Sequence, residues 1–142
     1  MRSLLVAVAL VLAPAVAAQS GPWTDLGFAF PGTKGLPLLE CTGPLTPGSM
    51  LSINLTNAVE HEDAYLVLGF STIYAPYKGG VLVPSFDVVL EFGTGPLGQV
   101  LIPAHWPAGV PSGFPVVVQY WIDDDGAVAG RSGSNAMMGV VP

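Results

Sequence analysis

Pro115 to Ile122 reads PVVVQYWI, and the acidic turn Asp123-Asp124-Asp125-Gly126 follows it. No other stretch constrains the fold as much. Val116, Val118, Tyr120 and Ile122 fall on one face at period two, and Val117, Gln119, Trp121 and Asp123 fall on the other. β-Branched and aromatic residues at that period make a strand. One face is wholly apolar and the other half apolar, so the strand belongs in the centre of a sheet, packed against a second layer.

The remaining apolar segments repeat the pattern in shorter form. Met50 to Thr56, MLSINLT, alternates cleanly, with Leu51, Ile53 and Leu55 facing in. Strands are expected over Asp25–Phe30 at an edge, Leu36–Thr42, Ala64–Ser71, Val81–Val83, Phe86–Phe92, Gln99–Ala104 and Ser134–Val141. Pro37 suits an edge or a strand start. Gly69, inside an otherwise continuous apolar run, marks a bulge or a close backbone approach. Thr72 to Gly80 reads as an aromatic loop, and Gly126 onwards as a Gly-rich bend. The 18 glycines and 14 prolines fall largely between these runs, as tight turns do. Eight or nine short strands without a defensible helix predict an antiparallel β-sandwich, jelly-roll or Greek-key-like. No internal repeat points to a propeller or solenoid.

The N-terminus reads as a targeting segment. Met1-Arg2-Ser3 is a short basic region, Leu4 to Val16 an apolar run, and Ala15-Val16-Ala17 a small-x-small cleavage signal. The run is 13 residues, short of the ~20 needed to span a bilayer. The expected organisation is a signal peptide over residues 1–18 and a single domain over 19–142, secreted or held in the cell envelope.

Beyond Arg2 the chain holds three basic residues (Lys34, Lys78, Arg131) against ten acidic ones, a formal charge of 3 − 10 = −7. So few cations cannot neutralise a phosphate backbone, which excludes nucleic acid as a partner and disfavours anionic membranes. The one cysteine, Cys41, has no internal partner for a disulfide and reads as a small buried hydrophobe in LLECTG.

Several segments resemble a group of small secreted all-β domains of planctomycetes and related bacteria. They are Tyr65–Ser71 (YLVLGFS), Gly79–Asp87 (GGVLVPSFD), Trp106–Gly109 (WPAG), Gln119–Asp123 (QYWID) and Ser134-Asn135-Ala136. The resemblance runs from about Gly32 to the C-terminus and implies fold and compartment, with no activity attached. Members of the group carry a cysteine pair, one in an early Gly-Cys-Pro-Gly-like turn. This chain has Pro31-Gly32-Thr33-Lys34-Gly35 there, so the disulfide is not carried over.

Candidate sites are few. The aspartates 123–125 lack the D-x-[DN]-x-[DN]-G spacing of a calcium loop and read as a solvated hairpin turn, in which replacing Asp124 changes stability by under about 0.5 kcal/mol. His61, Glu62, Asp63 and His105 do not supply the three or four ligands of a zinc site, so no metal and no cofactor is expected. No G-x-S-x-G elbow is present, and no catalytic residue is assigned. A small secreted hydrolase, with His105 beside Asp87 or Asp123, is the enzymatic alternative. The better lead is the aromatic set: Tyr74, Tyr77 and Trp106 in loops, and Trp121 on the mixed face of its strand. Flat amphipathic rings suit protein surfaces and sugar rings alike. The expected function is a non-catalytic interaction or structural module with an extracellular protein or glycan as partner. A carbohydrate-binding module is the alternative within binding.

Overall fold

The computed structural model describes residues 21–142; the expected signal peptide lies outside them. The described chain is all-β, with antiparallel sheets stacked as a sandwich. Eleven strands form: β1 (Trp23–Gly27), β2 (Leu38–Thr42), β3 (Met50–Thr56), β4 (Asp63–Gly69), β5 (Thr72–Tyr77), β6 (Gly80–Pro84), β7 (Val88–Gly93), β8 (Val100–His105), β9 (Pro115–Asp123), β10 (Arg131–Gly133) and β11 (Ala136–Val140). The main sheet runs β1-β11-β9-β4-β7, and β10 extends it alongside the far end of β9. A second sheet runs β2-β3-β8.

The PVVVQYWI strand is β9, between β11 and β4. Val116, Val118, Tyr120 and Ile122 meet Leu39, Leu51, Ile53 and Leu55 of the smaller sheet in the main core. The alternation of MLSINLT thus sends its three aliphatic side chains into that core, as the period-two pattern requires. Cys41 joins the same core; burial, then the nearby charge of Asp25, pushes its thiol up to about 12.

The outer face of β9 is covered differently. The connection from β4 to its neighbour β7 contains a β-hairpin, β5–β6, that folds back over the main sheet. Val83 of β6 packs with Val117 and Ala136 in a second, smaller core. This hairpin is where the expected loop at Thr72–Gly80 fails. Its turn is Lys78-Gly79, both at positive φ (49° and 88°), the two-residue geometry that matches strand twist. The Lys-Gly-Gly at 78–80 was the available signal, masked by the aromatic content of the segment.

Two further boundaries differ from expectation. The first strand stops at Gly27 because Phe28 turns left-handed at φ 66°. The Gly-rich bend contains β10, whose small residues let it lie against Trp121: a Cβ on Gly133 would sit 3.0 Å from that ring. At Gly69 the close approach is real, since a Cβ there would lie 2.0 Å from the Ser85 carbonyl oxygen.

Candidate functional site

The hairpin is fastened to the sheet by one buried side chain, Gln119. Its Oε1 accepts from the Val83 N–H (3.0 Å) and from the Trp121 indole N–H (3.2 Å). Its Nε2 donates to the carbonyls of Val81 (3.2 Å) and Ser134 (3.0 Å). All its polar capacity towards hairpin and strand is thereby spent, as a fully buried amide requires. The hairpin reaches only part of the way across the outer face. Beyond it a groove of about 390 Å³ opens towards β7.

The groove is built from distant parts of the chain. Tyr65 and Val67 of β4, Val89 of β7 and Trp121 of β9 form the sheet side. Tyr77 and Leu82 of the hairpin, with Phe86 in the connection to β7, form the other. Arg131 closes one end. Its Nη1 donates to the Tyr77 hydroxyl (2.6 Å), its Nε pairs with Asp123 (3.0 Å), and its guanidinium lies 4.5 Å from the centre of the Tyr65 ring. Stacking and two directed hydrogen bonds hold a planar cation where a mobile ammonium would wander.

The four aromatic residues singled out from sequence separate into three places. Tyr77 and Trp121 come together, Tyr77 meeting the indole edge-on at 4.8 Å and 81°. Trp121, on the half-apolar face of its strand, is 1% exposed and forms the buried floor of the groove. Tyr74 is in strand β5, at a register break with φ 45°, where its ring meets Phe28 tilted at 60° with centroids 5.4 Å apart; both rings are about half exposed. Trp106 packs against the main core at the opposite end of the sandwich. There it helps line an apolar cleft of about 540 Å³ with Phe70, Phe114 and His105. Arg131 and Gln119 were missed by sequence reasoning: each is a single polar residue whose importance depends on which strand faces it.

The remaining polar candidates are dispersed. The Nδ1 of His105 lies 3.4 Å from the Gly48 carbonyl oxygen, Asp87 accepts from the Ser85 hydroxyl and the Phe70 N–H, and Asp123 serves Arg131. Among the described residues no three His, Cys, Asp or Glu side chains gather closely enough to hold a metal ion.

The aspartate turn is a correction. Asp124 is buried, and the idle, solvated residue expected from sequence is absent. Its Oδ2 accepts from the Thr33 N–H (2.8 Å), and its Oδ1 from the Thr33 hydroxyl (2.5 Å) and the Gly126 N–H (2.9 Å). Burial alone would raise its pKa; the hydrogen bonds from Thr33 and Gly126 outweigh that and hold the carboxyl below the usual range. Gly32 leaves the necessary room, since a Cβ there would fall 2.0 Å from Oδ2. The carboxylate anchors the entry segment to the far end of the central strand.

Compared with known proteins, no family model, no curated protein and no solved structure matches the chain. Among the described residues no helix is long and apolar enough to cross a membrane.

Proposed function

We propose that the protein is a non-catalytic interaction module of the extracellular space or cell envelope. On this reading the outer-face groove takes an apolar side chain of a partner protein. The observation that carries the proposal is the groove itself, an aromatic and aliphatic slot with a fixed arginine at one end. Concave apolar surface with one convergent polar group is the usual form of a recognition site. The aliphatic share of the lining, from Val67, Leu82 and Val89, favours a protein side chain over a sugar ring. The resemblance to small secreted domains of planctomycetes supports the compartment, as does the signal-like segment at residues 1–18.

A second reading has its own observation. The exposed pair Phe28–Tyr74 offers two adjacent ring faces at the surface, the kind of platform on which a glycan stacks. A binding screen of the purified domain against surface proteins and a glycan array separates the two. The groove reading expects protein ligands whose binding is lost in Leu82→Asp and retained in Tyr74→Ala. Glycan binding lost in Tyr74→Ala favours the second. Turnover of ester or amide substrates that disappears in His105→Ala overturns both.

A further inference from the structure

Among the described residues, the edges formed by β1, β2, β5, β7 and β8 differ, and that of β7 is left open. β1 has a register break after Asp25. β2 has both backbone groups of Leu39 occupied by the Asn135 side chain, which accepts from its N–H (2.8 Å) and donates to its carbonyl (3.0 Å). β8 carries Pro103, and β5 carries Pro76 and a register break. Prolines, bulges and covering groups are how proteins blunt an edge. β7 has none of them. It pairs with β4 in unbroken register, contains no proline or lysine, and exposes aliphatic side chains on both faces: Val88 and Leu90 on one, Val89 on the other.

We propose that β7 is the interface of a two-fold homodimer, in which β7 pairs antiparallel with β7 of a second copy in a register centred on Leu90. The backbone fixes the choice. The Thr94 N–H donates to the Glu62 carbonyl at the end of the β4–β7 ladder, so the even-numbered residues of β7 turn their backbone groups to β4. Val89 and Glu91 therefore present N–H and C=O outward, as an unpaired row. Centring on Leu90 sets Val89 of one copy opposite Glu91 of the other, and all four outward residues pair through the backbone. It also sets Leu90 against Leu90 and Val88 against Phe92, apolar against apolar on the inner face. The next register, centred on Val89, would place Asp87 opposite Glu91, two carboxylates in a molecule already strongly acidic. The side chains that the three-stranded sheet leaves uncovered are those that self-pairing would bury.

Sedimentation of the purified chain across a concentration series tests this. The expected result is a reversible dimer that tightens with salt, because two acidic bodies meet. Leu90→Lys sets two ammonium groups on the axis and should weaken the dimer by more than about tenfold. Leu101→Lys, at a more exposed leucine of β8, should leave it intact. The register has its own readout. Residues directly opposite at a non-hydrogen-bonded position have Cα atoms ~4.5 Å apart, within disulfide reach. Leu90→Cys should therefore cross-link to itself on oxidation, whereas Val89→Cys should cross-link only when mixed with Glu91→Cys. A monomer at every concentration, or a dimer broken by Leu101→Lys and not by Leu90→Lys, overturns the proposal. Cross-linking of Val89→Cys to itself overturns the register.

Discussion

Asp124 and Gln119 are polar, buried and saturated with hydrogen bonds, so replacing either strands buried partners. Asp124→Ala leaves the Thr33 and Gly126 donors without their charged acceptor and should cost about 2–4 kcal/mol by urea unfolding. Because the folded carboxyl titrates below its unfolded value, its stabilisation is complete above about pH 4 and is lost as pH falls through the folded pKa. The acid limb of the stability curve should flatten in Asp124→Asn. Gln119→Leu strands the Val83 and Trp121 N–H groups and should cost about 3 kcal/mol. Tyr120 runs the other way. Its hydroxyl is buried in the core and has no hydrogen-bond partner among the described residues, and Tyr120→Phe should be neutral or stabilising by up to about 1 kcal/mol in the same assay. Sequence could place Tyr120 on the apolar face, because period two fixes a side chain's face. It could not show that Asp124 is buried. Three consecutive aspartates before a glycine read as a solvated turn, and the group that buries the middle one, Thr33, lies 91 positions away.

At the scale of elements, the long and strongly alternating strands were legible and the covering hairpin was not. β3 and β9 carry their own pattern. β5 is half exposed along its length and begins with a register break at Tyr74, so its side chains follow no clean period. The groove inherits that obscurity, since it exists only where the hairpin stops short of β7. Gly69→Ala tests how the hairpin is seated. The added Cβ would collide with the Ser85 carbonyl, forcing apart β4 and the connection that follows β6. Amide hydrogen exchange should show β5–β6 losing protection ahead of β9 and β4, with a global loss of roughly 2–4 kcal/mol.

For the whole molecule, the sandwich stands on its apolar core. Val118→Asp puts a carboxylate into the fully buried face of β9 and should abolish cooperative thermal unfolding. A strong chelator should shift the melting temperature of the wild-type chain by no more than a degree or two, because no closed ligand set gathers among the described residues. The fold class was readable because strand patterning and turn residues repeat along most of the chain. The pairing order was not readable, since period two says which face a residue occupies and nothing about which strand lies beside it.

The position of β11 has a kinetic consequence. This strand follows the other ten described strands in the chain, yet it sits inside the main sheet, with β1 on one side and β9 on the other. Until Val140 has emerged, β1 has no neighbour to pair with and the lower half of β9 lies bare along one side. The main sheet therefore cannot be completed piece by piece as the chain is made: β1 and one side of β9 wait for this last strand, while β2–β3–β8, β4–β7 and β5–β6 can already pair. Refolding should accordingly be slow, on the millisecond-to-second scale of β proteins dominated by distant contacts. A chain stalled just short of β11 presents its most apolar strand to whatever chaperone or neighbour is nearest.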